Sequence, residues 1–169
     1  MPASATPAVD LSDIALRLIA AVLVGMVIGL DRERRGKTVG IRTLGLVALG
    51  SALVCLSTVH FVALENRPDA VSRVVQGVIQ GVMTGIGFLG AGAILKGRDA
   101  QQAHGLTTAA TVWVTAALGI ACALATWSIV FIGVGLTLIV LVVLHPIDMW
   151  FDKRRADQGS ADQSPAGPS

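Results

Sequence analysis

Residues 105–144 form an unbroken run of forty residues without a charged side chain. As a single helix at 1.5 Å per residue, this run would be roughly 60 Å long, about twice the hydrocarbon thickness of a bilayer. The run is too apolar for water and too long for one crossing, so we expect it to fold back near Thr126, Trp127 and Ser128. The sequence therefore predicts two antiparallel membrane helices in this region.

The composition of the whole chain agrees with a membrane location. Hydrophobic residues make up 53% of the 169 residues and charged residues only 14%, with a mean hydropathy of +0.72. Soluble domains contain about 25% charged residues. The basic residues are few and are not interleaved with aromatic ones, so we predict no nucleic-acid partner. The bilayer itself is the expected surroundings.

Hydropathy predicts an all-α integral membrane protein with five transmembrane helices, each close to the ~20 residues that a bilayer requires. The predicted spans are 11–30, 41–63, 73–95, 106–125 and 127–144. They form one transmembrane domain over residues 11–150. We expect a disordered N-terminal tail over residues 1–10 and a disordered, basic and polar cytoplasmic tail over residues 151–169.

Lysine and arginine are concentrated on one side of these spans, and in short loops these residues mark the cytoplasmic side. Ten of the thirteen lie after the first, third and fifth spans or, in the case of Arg42, at the opening of the second: Arg32, Arg34, Arg35, Lys37, Arg42, Lys96, Arg98, Lys153, Arg154 and Arg155. The opposite side has Arg17, Arg67 and Arg73. This split predicts an N-terminus outside the cell and a C-terminus in the cytoplasm.

Glycines are unusually dense in the third span, where four fall between Gly85 and Gly92. A glycine inside a helix costs up to about 1 kcal/mol relative to alanine, so the missing side chains must serve close packing or a local break in the helix. Small residues spaced four apart favour close packing. The predicted packing residues are Gly25, Gly29, Gly77, Gly81, Gly85, Gly87, Gly90 and Gly92. We expect the third span to be the central helix, packed on the first and the fourth.

The predicted topology brings polar residues of three spans to one cytoplasmic layer: Asp31, Glu33, Arg42, Thr43, Thr107 and Thr108. The two acids either belong to a solvated loop or reach back to pair with Arg42 or to meet a cation. The two threonines either cap the fourth helix or line a polar pocket at its N-terminus, where an anion is favoured.

The residue types required for catalysis or metal binding do not occur in recognisable patterns. Cys55 and Cys122 lie far apart in apolar runs and read as buried, reduced thiols. The histidines His60, His104 and His145 have no ligand spacing, and we find neither a nucleophile elbow nor a phosphate-binding loop. We therefore predict no catalytic residues, no metal site, no cofactor and no enzymatic activity.

Four blocks of the sequence together resemble the membrane domain of the MgtC/SapB family. They are Gly29-Leu-Asp-Arg-Glu-Arg34, Gly40-Ile-Arg-Thr43, the Gly85–Gly92 stretch, and Gly105-Leu-Thr-Thr-Ala-Ala110 with Trp113. The resemblance covers nearly all of residues 11–145. It implies a multi-pass protein of the bacterial inner membrane with about five helices.

The resemblance also carries expectations about residues and function. It implies that the acid of the family's first-loop motif corresponds to Asp31 with Glu33 as its partner, and that Asp69 and Arg73 correspond to the motif before the third span. It links the chain to magnesium limitation, virulence (survival within macrophages) and restraint of an F-type ATP synthase. Many relatives carry a C-terminal ACT-like domain, which we expect this short member to lack.

Two functions remain open from the sequence. The first is a non-enzymatic regulatory protein that binds another membrane complex through exposed small-residue helix faces. The second is a small ion or solute transporter or channel, in which Asp31, Glu33, Thr107 and Thr108 contact the transported species. Because five helices are few for a carrier, transport would require an oligomer, and a homodimer is possible in either case.

Overall fold

The computed structural model describes residues 10–64, 68–95 and 102–143. These residues form five helices: α1 (Leu11–Arg34), α2 (Ile41–Leu64), α3 (Pro68–Leu95), α4 (Gln102–Leu124) and α5 (Trp127–Val143). The described part of the chain contains no strand, so the all-α class is confirmed there. The two predicted tails lie outside the described residues, apart from Asp10.

Helix ends follow local chemistry, and α1, α3 and α4 each extend at least four residues beyond their predicted spans. The carboxylate of Asp10 accepts a hydrogen bond from the amide of Ser12 at 3.0 Å and so caps the start of α1. At the other end α1 continues to Arg34, and the chain leaves the helix through Gly36, which has a φ of 64°. Helix α3 begins at Pro68. Proline has no amide hydrogen to donate, and at the first position of a helix this costs nothing, because the amides of the first turn have no acceptor within the helix.

The expected reversal within the long uncharged run is confirmed. Helix α4 ends at Leu124 and α5 begins at Trp127, with only Ala125 and Thr126 between them. The carbonyl of Thr126 accepts a hydrogen bond from the amide of Ile129 at 3.0 Å, which begins the new helix. Helices α1 to α4 are each long and apolar enough to cross a membrane, whereas α5 is a shorter apolar helix of 17 described residues.

Neighbouring helices run in alternating directions. Gly25 of α1 contacts Leu44 of α2, and Gly90 of α3 contacts Ala109 of α4. These contacts bring together the C-terminal half of one helix and the N-terminal half of the next. One end of the bundle, which we call the basic end, thus carries the C-termini of α1, α3 and α5 and the N-termini of α2 and α4.

Helix α4, and not α3, is the central helix, so the expectation that the third span is central and packs on the first is wrong, whereas its predicted packing on the fourth is confirmed. Among the described residues, α4 contacts all four other helices, whereas α3 contacts only α2 and α4. In an apolar stretch of 18 residues within α4, 56% of the residues are buried, compared with 6% in the corresponding stretch of α3. The glycine spacing of α3 allows close approach by a neighbour, but it does not say which neighbour approaches.

Three glycines bring the backbone of α2 into direct contact with a neighbouring helix. A Cβ added at Gly29 would lie 2.6 Å from the Cα of Ile41, and one at Gly25 would lie 2.8 Å from the Cα of Gly45. Gly119 of α4 was not singled out from the sequence, yet its Cβ would lie 2.9 Å from the Cα of Ala48. Helix α2 is therefore held against α1 on one side and α4 on the other.

The glycines of α3 have different surroundings. The helix is continuous through them, so the local break considered as an alternative does not occur. At Gly90 an added Cβ would lie 3.3 Å from the Cβ of Ala109. At the other predicted packing positions of α3 an added Cβ would meet nothing within 4 Å: Gly77, Gly81, Gly85, Gly87 and Gly92. Close packing at those five positions does not occur among the described residues.

We expect Gly119→Ala to destabilise the protein by about 1–3 kcal/mol, because the new methyl group would overlap the α2 backbone, which cannot move aside. Gly135→Ala is the matched control, since a Cβ there meets nothing within 4 Å and alanine favours a helix. Thermal unfolding of the purified variants in detergent measures both effects. Equal midpoints for the two variants would contradict the close contact of α4 with α2.

Candidate functional site at the basic end

Two acids in the last turn of α1 organise the connection between α1 and α2. Asp31 forms an ion pair with Arg35 one turn later, at 2.8 Å. The Oε2 atom of Glu33 accepts a hydrogen bond from the amide of Ile41 at 3.1 Å and thus caps the start of α2. Gly40 leaves room for this carboxylate, since a Cβ there would lie 2.8 Å from Oε2.

Arg32 lies between these two acids in sequence but points into the bundle. It is only 3% exposed, and its Nη2 atom donates a hydrogen bond to the hydroxyl of Thr108 on α4. Its Nε atom is buried without a hydrogen-bond partner. A buried guanidinium with an unpaired donor is costly, so the surrounding packing must hold it in place.

Sequence reasoning counted Arg32 among the charges of the loop and missed its burial. The signal was its helical phase, because Gly25, Ile28, Gly29 and Arg32 fall on one face of α1 at spacings of three and four. That face carries the glycines that contact α2. A charged residue on the same helix face as glycines that pack against a neighbour is therefore expected to be buried.

Buried hydroxyls continue inward from Thr108 along α4. Thr111 and Thr115 are 4% and 0% exposed. Their hydroxyls donate to the carbonyls one turn earlier, to Thr107 at 2.7 Å and to Thr111 at 2.8 Å. The three threonines form a polar row on a helix that is otherwise buried among apolar side chains, and bonding to carbonyls of the same helix satisfies the hydroxyls of Thr111 and Thr115 there.

The remaining predicted residues lie at the same end but on outward surfaces. Thr107 is exposed and lines a groove between α4 and α5. Arg42 and Thr43 are exposed, and Arg42 lines a separate groove between α1 and α2. Neither described acid, Asp31 nor Glu33, pairs with Arg42. The predicted layer is therefore an end of the bundle with several local contacts, and not one converging cluster.

At the opposite end, Arg17 of α1 holds the end of α4. Its Nη1 atom donates to the carbonyls of Cys122 at 3.1 Å and Ala123 at 3.3 Å, and its Nε atom binds Asp13 at 2.7 Å. The guanidinium also lies 5.6 Å from the ring centre of Trp127. The carbonyls at a helix C-terminus favour a cation, so this contact supports the turn into α5.

The chemistry available at the basic end is hydrogen bonding and charge pairing. Within the described ranges, no group of three or more His, Cys, Asp or Glu side chains is arranged to hold a metal ion. Cys55 and Cys122 are buried free thiols in the apolar core. His104 and His145 have side chains outside the described residues, as does Asp69.

Comparison with known proteins identifies the family. The model of the MgtC family matches residues 18–150. The chain belongs to the MgtC family. This result confirms the resemblance carried by the loop, glycine and threonine motifs.

Named relatives extend this result. The chain is 42% identical over 141 residues to Protein SrpB of Synechococcus elongatus, covering 80% of this chain and 76% of the relative. It is 38% identical over 136 residues to the Putative magnesium transporter YhiD of Escherichia coli K12, covering 80% and 62%. It is 40% identical over 109 residues to Protein MgtC of Salmonella typhimurium LT2, covering 64% and 42%. No solved structure matches the chain.

We expect Thr108→Val to destabilise the protein by about 1–3 kcal/mol, because valine keeps the shape but leaves the buried Arg32 without its acceptor. In the double variant Arg32→Met with Thr108→Val, the two effects should be clearly less than additive. The matched control is Arg34→Met, which removes the same charge from an exposed position two residues away. Unfolding free energies from a double-mutant cycle test the contact, and strict additivity would contradict it.

Proposed function

We propose that this chain is a non-enzymatic regulatory protein of the bacterial inner membrane that acts on a membrane partner during magnesium limitation or in the control of membrane energetics. The observation that carries the proposal is the outward face of α3. The partner is a second copy of the chain or a larger membrane complex such as an F-type ATP synthase. Family membership supports the link to magnesium, because one relative bears the name Putative magnesium transporter.

The outward face of α3 carries the features of a helix-binding surface. Val78, Ile79, Val82 and Met83 pack inward against the core. At roughly 100° per residue, the opposite face presents a set of small, polar and aromatic residues. They are Gly77, Gln80, Gly81, Thr84 and Phe88, all of them exposed. Phe88 is 81% exposed.

Hydrocarbon is a poor environment for this face. The side chains of Gln80 and Thr84 have no hydrogen-bond partner in the described part of the chain, and an unpaired amide in an apolar medium costs several kcal/mol. Gly77 and Gly81 have open space where a Cβ would lie. A second helix could approach closely over the glycines and satisfy the amide, which is how small and polar residues drive association in membranes.

The proposed orientation follows the positive-inside rule, with the basic end of the bundle in the cytoplasm. In this orientation Arg32, Glu33 and Thr108 lie near the cytoplasmic surface. Their bonds join α1, α2 and α4, so a partner that moved α3 against α4 would act on this end of the bundle. The Arg32–Thr108 contact then serves as the structural element that holds α1 to the central helix.

Transport is the second candidate function, and the buried threonine row favours it. Thr108, Thr111 and Thr115 place hydroxyls in sequence along the central helix, beginning at a buried arginine. Rows of polar groups in a membrane interior mark ion and solute pathways. Transport would be of a small ion or solute and would require an oligomer, for which the α3 face also provides a surface.

A complementation experiment tests the regulatory function. Bacteria lacking their own copy are grown at limiting magnesium with the wild type, Gly81→Leu or Gln80→Leu. We expect both variants to lose growth while keeping wild-type abundance and thermal midpoint, because only the outward face changes. Gly50→Leu is the matched control, since Gly50 is also exposed and a Cβ there meets nothing within 4 Å.

A flux assay in liposomes for magnesium and protons separates the two functions. We expect the wild type to show no more flux than protein-free liposomes. Flux that falls on replacing Thr115 with valine would overturn the regulatory function in favour of transport. Full growth with Gly81→Leu would overturn the assignment of the α3 face as the partner surface.

A further inference from the structure

An apolar groove with an arginine at its end lies on the outside of the bundle, between α1 and α2. Its volume is about 350 Å³, and its lining consists of Val22, Met26, Ile41, Arg42, Gly45, Leu46 and Leu49. From Arg42 to Leu49 the groove extends about 10 Å along α2, from the basic end of the bundle toward its middle. Leu46 is 68% exposed, so the groove is open to the surrounding lipid.

Gly45 forms part of the groove floor. A Cβ added there would lie 3.4 Å from the Cγ of Met26, which shows that a larger side chain at this position would extend into the groove. The groove lies within the range of roughly 300–1,000 Å³ that ligand sites occupy. An acyl chain is the apolar group available at this depth of a membrane.

Among the described residues, Arg42 is the only charged one that lines this groove, and none of them neutralises its charge. Arg42 makes no hydrogen bond or ion pair with any described residue. The two described acids at this end of the bundle have other partners, since Asp31 binds Arg35 and Glu33 binds the amide of Ile41. The carboxylate of Glu33 caps the N-terminus of α2 and offsets its partial positive charge, so Arg42 supplies the positive charge of the groove. A guanidinium at a membrane surface binds phosphate groups well, since its planar fork matches their oxygens.

We propose that the groove between α1 and α2 binds an anionic phospholipid, with one acyl chain along Val22, Met26 and Leu46 and the headgroup phosphate at Arg42. The apolar lining selects a lipid over a soluble phosphate. The uncompensated charge of Arg42 selects an anionic headgroup over a zwitterionic one. This site is independent of whether the chain regulates a partner or transports a solute.

The binding experiment uses the full chain purified in detergent and titrated with two lipids that share the same acyl chains. These are dioleoylphosphatidylglycerol, which is anionic, and dioleoylphosphatidylcholine, which is zwitterionic. Apparent affinities come from the rise in thermal midpoint with lipid concentration. We expect the wild type to prefer the anionic lipid, and Arg42→Gln to reduce that preference about fivefold, as expected for one arginine near an anionic headgroup.

Three further variants make the test specific. Arg34→Gln is the matched control, because it removes the same charge from an exposed position at the end of α1 that does not line the groove. Its preference should equal that of the wild type. Arg42→Lys should retain most of the preference, since it keeps the charge. Gly45→Leu should weaken both lipids by filling the groove, and if it does not fold, the pair of arginine variants decides alone.

Inorganic phosphate and glycerol 3-phosphate form the last arm of the experiment. We expect neither to raise the thermal midpoint at concentrations at which the lipid does. Equal stabilisation by free phosphate would overturn the lipid site. An unchanged preference in Arg42→Gln would also overturn it, as would equal losses in Arg34→Gln and Arg42→Gln, which would indicate a diffuse effect of surface charge.

Discussion

The backbone of α2 lies directly against α1 on one face and against α4 on the other, and the rest of the bundle depends on this double contact. Helices in hydrocarbon gain little from burying apolar side chains against each other, so close backbone approach must supply the attraction. Gly25 and Gly29 make the approach to α1 possible, and Gly119 makes the approach to α4 possible. Once these three helices are joined, α3 and α5 have only outer surfaces to occupy.

Two arginines of α1 add polar contacts to both ends of the central helix. Arg17 binds carbonyls at the C-terminus of α4, and Arg32 binds the hydroxyl of Thr108 near its N-terminus. Each contact lies close to one end of the bundle, and in a membrane a long side chain near a helix end satisfies its charge at lower cost than at the centre. The position of α4 relative to α1 is thus set at both ends as well as by packing along its length.

The outer surfaces of the bundle and its interior differ in the kind of partner or ligand that each suits. The inward half of α3 completes the core, while its outward half carries an unpaired amide among glycines, which suits a second helix. The surface of α1 and α2 has a groove that ends in an uncompensated guanidinium, which suits a lipid. The bundle interior holds the threonine row of α4, whose hydroxyls bond to their own helix. Both proposed functions would use the α3 face, whereas only transport would use the threonine row, so substitutions in that row separate the two proposals.

The sequence by itself determined the number of helices, the turn near Thr126, the gathering of Asp31, Glu33 and Thr108 at one end, and the family. These follow from hydropathy, charge and short motifs, which act over a few residues. Only the tertiary structure decided that α4 is central, that Arg32 is buried, and that most glycines of α3 face outward. A glycine in the sequence indicates that a neighbouring helix can approach closely, and an arginine indicates a positive charge. Which neighbour fills the space or accepts the bond depends on how all five helices pack.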